Sequence, residues 1–545
     1  MLGETKTGVR PAICDSRLQV KSLDLTKSGA PQTHTWASFT YANLAIQTNF
    51  PGLSVLGPQN GTTIHALTQV LLADGAHFNF DYTSWGQVWK ISSYATDNHL
   101  LNYRSYNLPL TGSAAQTDCP RFTERRDWAE NWNRDGSGNA QEVVTAYAVP
   151  SSATIPGTSQ TGMLTQVTLP DSTYHKIYFG SVSGSPAWQN GLPLLTETYD
   201  AGNIKQRWVT TTWTQDDTNV AYPLNSRVTE TNIYDPAGNH ARTRVDYATF
   251  NLSDGTSCRY PQDTYEYQAD ATTVLRRTHT DYNLASTYTN LRIIGLPSTK
   301  YLCDGAQGEV PCNDSSGASL FSKVAFQYDG SGSIQGNDAP VQHDASYGAS
   351  FVPGRANLSS ATRYDVTNTS QFTVSTMQYN TAGAVVATHD PLNHGVTVSY
   401  ADSFSDSIGR NTLAYSTSVT DPDGYSATSQ YNFDFGAVTS KQTPQPNTIA
   451  NIPGPVQTIA YDSLGRTDRV TNLVNNAYTR FVYPASQNRL DTYTTIQDNA
   501  GEAHSFKITD GHGRPIASAS DHPGSTGGFS GQLIYYDLMG RTAEL

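Results

Sequence analysis

The sequence predicts an all-β chain made of antiparallel hairpins in succession. Three observations carry this. A hexapeptide, Tyr461-Asp462-Ser463-Leu464-Gly465-Arg466, returns as Tyr536-Asp537-Leu538-Met539-Gly540-Arg541. Looser copies lie upstream: Tyr199-Asp200-Ala201-Gly202-Asn203, Tyr234-Asp235-Pro236-Ala237-Gly238-Asn239 and Tyr379-Asn380-Thr381-Ala382-Gly383, with Asp510-Gly511-His512-Gly513-Arg514 lacking the tyrosine. Between them run segments that alternate with period two, such as Thr243-Arg244-Val245-Asp246-Tyr247 and Arg466-Thr467-Asp468-Arg469-Val470, as half-buried strands do.

The motif has the chemistry of a turn. Asp first and Gly fourth suit a type I turn, which predicts a four-residue connection between antiparallel strands. The carboxylate accepts from backbone N–H groups two residues on, and Gly takes the positive φ that a side chain opposes. The preceding Tyr favours a strand and offers a ring for packing and a hydroxyl for a polar partner. Reading the Tyr-Asp pairs as catalytic acid and base fails, because that chemistry needs one positioned pair, not many scattered near-copies.

Along the chain, residues 1–66 read as an irregular N-terminal β/loop segment with Thr/Ser-rich stretches such as Thr35-Trp36-Ala37-Ser38-Phe39-Thr40-Tyr41. Residues 67–190 read as a divergent β-repeat region: Leu72-Ala73-Asp74-Gly75 turns into His77–Tyr82, and Leu169-Pro170-Asp171-Ser172 leads into His175–Phe179. Residues 191–545 carry the clear repeats, with further units beginning at Asp390-Pro391-Leu392-Asn393-His394-Gly395 and Asp421-Pro422-Asp423-Gly424. Asp200 and Asp235 are about half as far apart as Asp462 and Asp537, and such uneven spacing fits strands and loops of variable length better than a propeller of steady period. No amphipathic helix of four turns is present. The stretch Thr443–Pro455 reads as a loop.

Composition sets the function classes aside in turn. Tyr (32) outnumbers Phe (17), and charged residues are 15% of the 545, which fits strands with one wet face and polar turns rather than disorder. The length suffices for a substantial core. A net charge of −13 without a Lys/Arg run argues against nucleic acid. No apolar run is long enough for a membrane helix, and residues 1–16 lack the apolar stretch of a signal peptide. Of the five cysteines, Cys303 and Cys312 flank the loop Asp304–Pro311, where they either pair across a hairpin or remain two free thiols.

Candidate constellations for chemistry are weak. Asn131–Glu142 places oxygen side chains at calcium-loop positions 1, 3, 5 and 9, Gly at 6 and Glu at 12. It begins with Asn, has Gly where an apolar anchor belongs, and runs into the strand-like Val143-Val144-Thr145-Ala146-Tyr147, so a polar hairpin tip accounts for it. Asp510 and His512 lack a nucleophile, and no nucleophile elbow, zinc helix or phosphate loop occurs. Trp85, Trp132, Trp208 and Trp213 have the rings for stacking on sugars, but core and cross-strand packing uses the same residues. The expectation is no catalytic, cofactor-binding or metal residue, no cofactor and no enzyme activity.

The YD motifs make the chain resemble the RHS/YD-repeat family, clearly over residues 190–545 and weakly over 67–190. Members include bacterial RHS shell proteins, the C components of insecticidal toxin complexes, and animal teneurins. The resemblance implies a ribbon of strands spiralling into a β-shell, here an incomplete one because the last unit stops at Leu545 just past its turn. It implies a structural shell segment of an exported, secreted or cell-surface bacterial protein, whose full-length relatives enclose or deliver a C-terminal effector. Partners would be that effector or the remaining shell. The alternative is an extracellular module binding carbohydrate or mediating adhesion. Toxin-bearing members end their repeats in a DPxGL-type signature beside an aspartyl self-cleavage site. Asp390-Pro391-Leu392-Asn393-His394 starts like it but lacks its Gly and Leu and is followed by more repeats, so self-cleavage does not carry over.

Overall fold

The computed structural model describes residues 17–24, 32–50, 59–109, 121–134, 137–183, 186–305, 312–314, 319–336, 338–351, 354–445, 453–485, 488–496 and 501–544. The sequence readings made on residues 1–16, on Asp135 and Gly136, on most of the 304–311 loop and on the middle of 443–455 therefore lie outside the described residues. Helix among these amounts to Ser286–Thr289, the short 3₁₀ turns Ala187–Gln189 and Ala345–Tyr347, and a 3₁₀ position at Gly305. The all-β expectation holds.

The chain divides into two compact units. The first comprises residues 1–147, 459–471 and 475–545. In it Gln32–Ala45, Thr63–Leu72, His77–Tyr82, Val88–Tyr94, Leu100–Tyr106, Glu124–Ala129 and Val143–Tyr147 form one antiparallel succession. A second succession runs from Tyr478–Val482 through Arg489–Ile496, Gly501–Thr509 and Pro515–Asp521 to Phe529–Leu533. The Thr35–Tyr41 stretch of the N-terminal β/loop segment lies within the fourteen-residue strand Gln32–Ala45. Its Thr, Phe, Trp and Tyr residues are good strand formers, and the strand pairs along Thr63–Leu72, which spans position 66.

The second unit comprises residues 148–458 and 472–474. It continues the same grammar, for example Tyr174–Ser183, Pro193–Tyr199, Lys205–Thr214, Arg227–Tyr234, His240–Asn251, Ser257–Tyr267, Val274–Tyr282 and Pro297–Asp304, each antiparallel to the next. Sequence-neighbouring strands pair because short turns leave no other geometry open to them.

Among the described residues the core is not one mass. Buried apolar residues form small clusters: Ala129, Trp132 and Val143; Ile155, Tyr178 and Leu195; Tyr301, Cys303 and Cys312. Each strand has two faces and a hairpin ladder is one layer thick, so burial is shared with polar groups. Asp127, Glu197, Asp263, Arg277, Asp491 and Asp510 are all buried. Each has a charged partner within 3.0 Å.

Candidate functional site: the repeated turn and its surroundings

The hexapeptide closes a hairpin in the same way each time. Asp462 Oδ1 accepts the N–H groups of Leu464 (2.9 Å) and Arg466 (3.0 Å), and the Arg466 Nε donates to Oδ2 at 2.7 Å. The Gly465 N–H reaches the Asp462 carbonyl at 3.0 Å, and the Asp462 N–H reaches the Arg466 carbonyl at 2.9 Å. Gly465 has φ +73°. This is a type I turn followed by a left-handed residue, so three residues, not four, separate the paired Asp462 and Arg466. Asp537 repeats the geometry with Met539 and Arg541, and Asp510 with His512 and Arg514. Burial pushes the Asp462 pKa up, but the Arg466 guanidinium and the backbone N–H groups outweigh it and hold the carboxyl below its ordinary range.

Two variants show what the turn requires. In Tyr199-Asp200-Ala201-Gly202-Asn203 the left-handed residue is Asn203 (φ +65°) and not the adjacent glycine, and in Asp390–His394 it is Asn393 (φ +66°). Asn tolerates that conformation better than other side chains. In the Asn380 copy the amide oxygen accepts the Ala384 N–H at 2.9 Å. Ala384 offers no side chain to the other end of the amide, and the buried Asn380 Nδ2 has no hydrogen-bond partner among the described residues. A further copy escaped the sequence reading: Tyr82-Thr83-Ser84-Trp85-Gly86, with buried Thr83 in the Asp position and its Oγ1 accepting the Gln87 N–H. Tyr and Gly in register were the available signal.

The tyrosines act as straps. Tyr82, Tyr379, Tyr483 and Tyr536 donate their hydroxyls to the carbonyls of Leu67, Leu358, Thr467 and Pro515 at 2.8–3.0 Å, each reaching back 15 to 21 residues. Burial raises the pKa of Tyr82, Tyr379 and Tyr483, so these phenols stay protonated donors.

The residues singled out for chemistry are otherwise engaged. Glu142, the twelfth position of the calcium-like loop, accepts from Tyr103 at 2.7 Å and from Arg126 at 2.8 Å, while Asn131 and Asn133 take positive φ as tip residues do. Among the described residues no group of three or more His, Cys, Asp or Glu side chains is placed to hold a metal. Asp510 is bound by Arg514, and His512 lies edge-on to Trp132. Trp132 is buried and donates to the Asp537 carbonyl. Trp208 stacks on Tyr234 with Lys205 above it, Trp213 donates to the Pro193 carbonyl, and Trp85 meets Phe50 edge-on. Cys303 and Cys312 are joined in a disulfide, with Cα atoms 5.9 Å apart.

Sequence reasoning missed the long loops of the second unit. Asp329 accepts the N–H groups of Gly354, Arg355, Ala356 and Asn357 at 2.9–3.1 Å. The Arg355 guanidinium in turn donates to the carbonyls of Phe351, Thr381, Gly348 and Tyr347. Asp402 pins a second loop through the N–H groups of Arg410 and Thr412. The two loops meet where the Val341 N–H reaches the Asn411 carbonyl and Asn411 Nδ2 reaches that of Ala339. Lone carboxylates give no periodic signal, so only the fold reveals these anchors.

No family model matches the chain, and no curated protein matches it by sequence. Solved structures do match by fold. A crystal structure of TcdB2-TccC3 is 12% identical with a TM-score of 0.50 over 96% of this chain, and a crystal structure of TcdB2-TccC3-Cdc42 is 12% identical with the same TM-score over 96%. The chain spans only 35% and 37% of those two chains, about a third of their length. The chain has the fold of these toxin-complex shell structures, the β-shell architecture that the YD motifs predicted.

Proposed function

We propose that this chain is a structural wall segment of an exported bacterial RHS-repeat protein, of the kind whose longer relatives enclose or deliver a C-terminal effector. The observation that carries the reading is the fold match to TcdB2-TccC3 over 96% of the chain. Agreeing with it, the motif residues are spent on turns and straps, and the buried charges are paired within the ladder. The disulfide fits a protein that matures outside a reducing cytosol, in line with a secreted or cell-surface location. The carbohydrate-binding alternative finds its four tryptophans already packed or hydrogen-bonded.

A wall must continue laterally. Among the described residues, Phe529–Leu533 pairs on one side only, with Pro515–Asp521, and all five of its residues are exposed and uncharged. Native edges are normally shielded by charge, proline or cover, so this one is built to receive another strand. Sedimentation velocity should show concentration-dependent association that the double variant Ser530→Lys/Gln532→Lys suppresses. A chain that stays monomeric at high concentration without those lysines would overturn the wall reading.

A further inference from the structure

We propose that the Cys303–Cys312 disulfide is a redox-addressable clasp, opened by a dithiol reductant, that keeps the buried Asp263–Arg277–His279 ion cluster of the second unit closed. Cys303 lies near the end of strand Pro297–Asp304, paired with Arg277 on one side and Leu320 on the other. Cys312 is buried with it, and its Sγ sits 3.8 Å from the Arg277 carbonyl oxygen. Gly305, the next residue but one after Cys303, is pressed so close to the Val274 carbonyl that a Cβ there would stand 2.1 Å from its oxygen. The cross-link thus holds Cys312 down on strand Val274–Tyr282 at the residue whose guanidinium serves the cluster. Arg277 donates to Asp263 at 2.8 Å, and His279 Nδ1 lies 2.7 Å from the same carboxylate oxygen. Eight residues lie between the two cysteines, and among the described residues Cys312 is otherwise held by its packing with Tyr301, Cys303 and Leu320 and by its contact with the Arg277 carbonyl.

The chemistry is thiol–disulfide exchange. One thiolate of the reductant attacks one sulfur, the S–S bond breaks, and the other protein sulfur leaves as a thiolate and takes a proton. The reductant's second thiol then attacks the mixed disulfide, releasing the second protein thiol and the reductant as its own disulfide. Both sulfurs are almost wholly buried, so attack awaits a local opening, and the clasp survives weakly reducing surroundings longer than an exposed bond would. Passage from an oxidising to a reducing compartment would loosen this cluster while leaving the rest of the ladder intact. The inference stands independently of the wall reading.

The test uses the full chain. A non-reducing peptide map should contain the linked Cys303 and Cys312 peptides. Dithiothreitol should then speed hydrogen exchange at Leu302 and Cys303 by about tenfold or more, and bring the His279 pKa, which the hydrogen bond to Asp263 holds raised, down toward the ordinary histidine value as followed by NMR. The variant Cys303→Ser/Cys312→Ser should show both changes without reductant and no response to it, while Cys258→Ser should respond as the parent does. Free thiols at both positions in protein purified under air, or reduction that moves neither exchange nor the His279 pKa, would overturn the proposal. Since the parent chain supplies both readouts, failure of the double variant to fold does not blunt the test.

Discussion

The indole N–H of Trp132 donates to the backbone carbonyl of Asp537 at 3.1 Å, across 405 residues of sequence. The Arg514 guanidinium lies over the same indole, 4.6 Å from its centre, and Tyr536 packs against the Trp132 cluster. Nearby, the Gly511 N–H reaches the Glu130 carbonyl and Asn102 Nδ2 reaches the Gly511 carbonyl at 2.6 Å. The first unit is therefore completed by residues from both halves of the sequence. Trp132→Ala should cost about 3–5 kcal/mol of its stability, because it removes a large buried ring and its partners. Trp132→Phe, which keeps most of the ring, should cost nearer 1 kcal/mol for the lost hydrogen bond. Urea unfolding checks the order, and hydrogen exchange should show the loss at Gly540 and Arg541 as well as near Trp132.

The turn geometry makes a prediction that the bare motif would get wrong. Gly465 carries the positive φ of its turn, whereas in the Asp200 turn Asn203 carries it and Gly202 does not. Gly465→Val should destabilise by about 1–2 kcal/mol, since a β-branched residue resists the left-handed region. Ser463→Ala, at an exposed turn position, should cost less. Gly202→Ala should also be mild, its added Cβ meeting only Asp200 Oδ1 at 3.3 Å. Thermal unfolding of the three variants decides it: equal shifts for Gly465→Val and Ser463→Ala would contradict the turn assignment.

What the sequence disclosed and what it hid divide along range of interaction. Asp462, Gly465 and Arg466 lie within five residues and settle their turn among themselves, so the hairpins were legible. Cys303 and Cys312 were legible as a pair that could bond, because the loop between them is short. Trp132 and Asp537 were not, since nothing local marks two residues that meet only in the folded unit. Asp329 and Asp402 look like any other acids until their loops are folded around them. How burial would be distributed was hidden for a related reason: length permits a core, but among the described residues the ladder spreads burial into small clusters and adds paired charges such as Asp491 with Arg489 and His504.

A broad screen against glycosidase, esterase and protease substrates should remain at background. The carboxylates best placed for acid–base work are committed, Glu197 to Lys205 and Tyr199, Glu502 to Arg480 and Tyr478. An acid–base catalyst needs a free proton-transfer partner within reach of substrate, and these are closed by their own hydrogen bonds. Reproducible turnover abolished by a single carboxylate substitution would contradict this.

The Asp263–His279 pair should shape the pH dependence of the second unit's stability. The His279 pKa is raised, chiefly by its hydrogen bond to Asp263, against the opposing effect of burial. A group whose pKa is higher folded than unfolded stabilises fully below its unfolded value, ordinarily about 6.5 for histidine, and loses that contribution as pH rises through the folded value. Asp263 behaves oppositely. Burial pushes its pKa up, but His279 and Arg277 outweigh burial and leave it lowered, so its contribution is present above the ordinary carboxylate value of 3.8 and is lost as pH falls through the folded one. Together they give a plateau between roughly pH 4 and 6.5, with stability falling on the alkaline side from His279 and on the acid side from Asp263. Denaturant unfolding across pH 3 to 9 should show the alkaline fall in the parent chain and a flatter profile there in His279→Gln, which has no proton to release. An unchanged alkaline slope in that variant would mean that His279 does not titrate in the folded unit as this geometry requires.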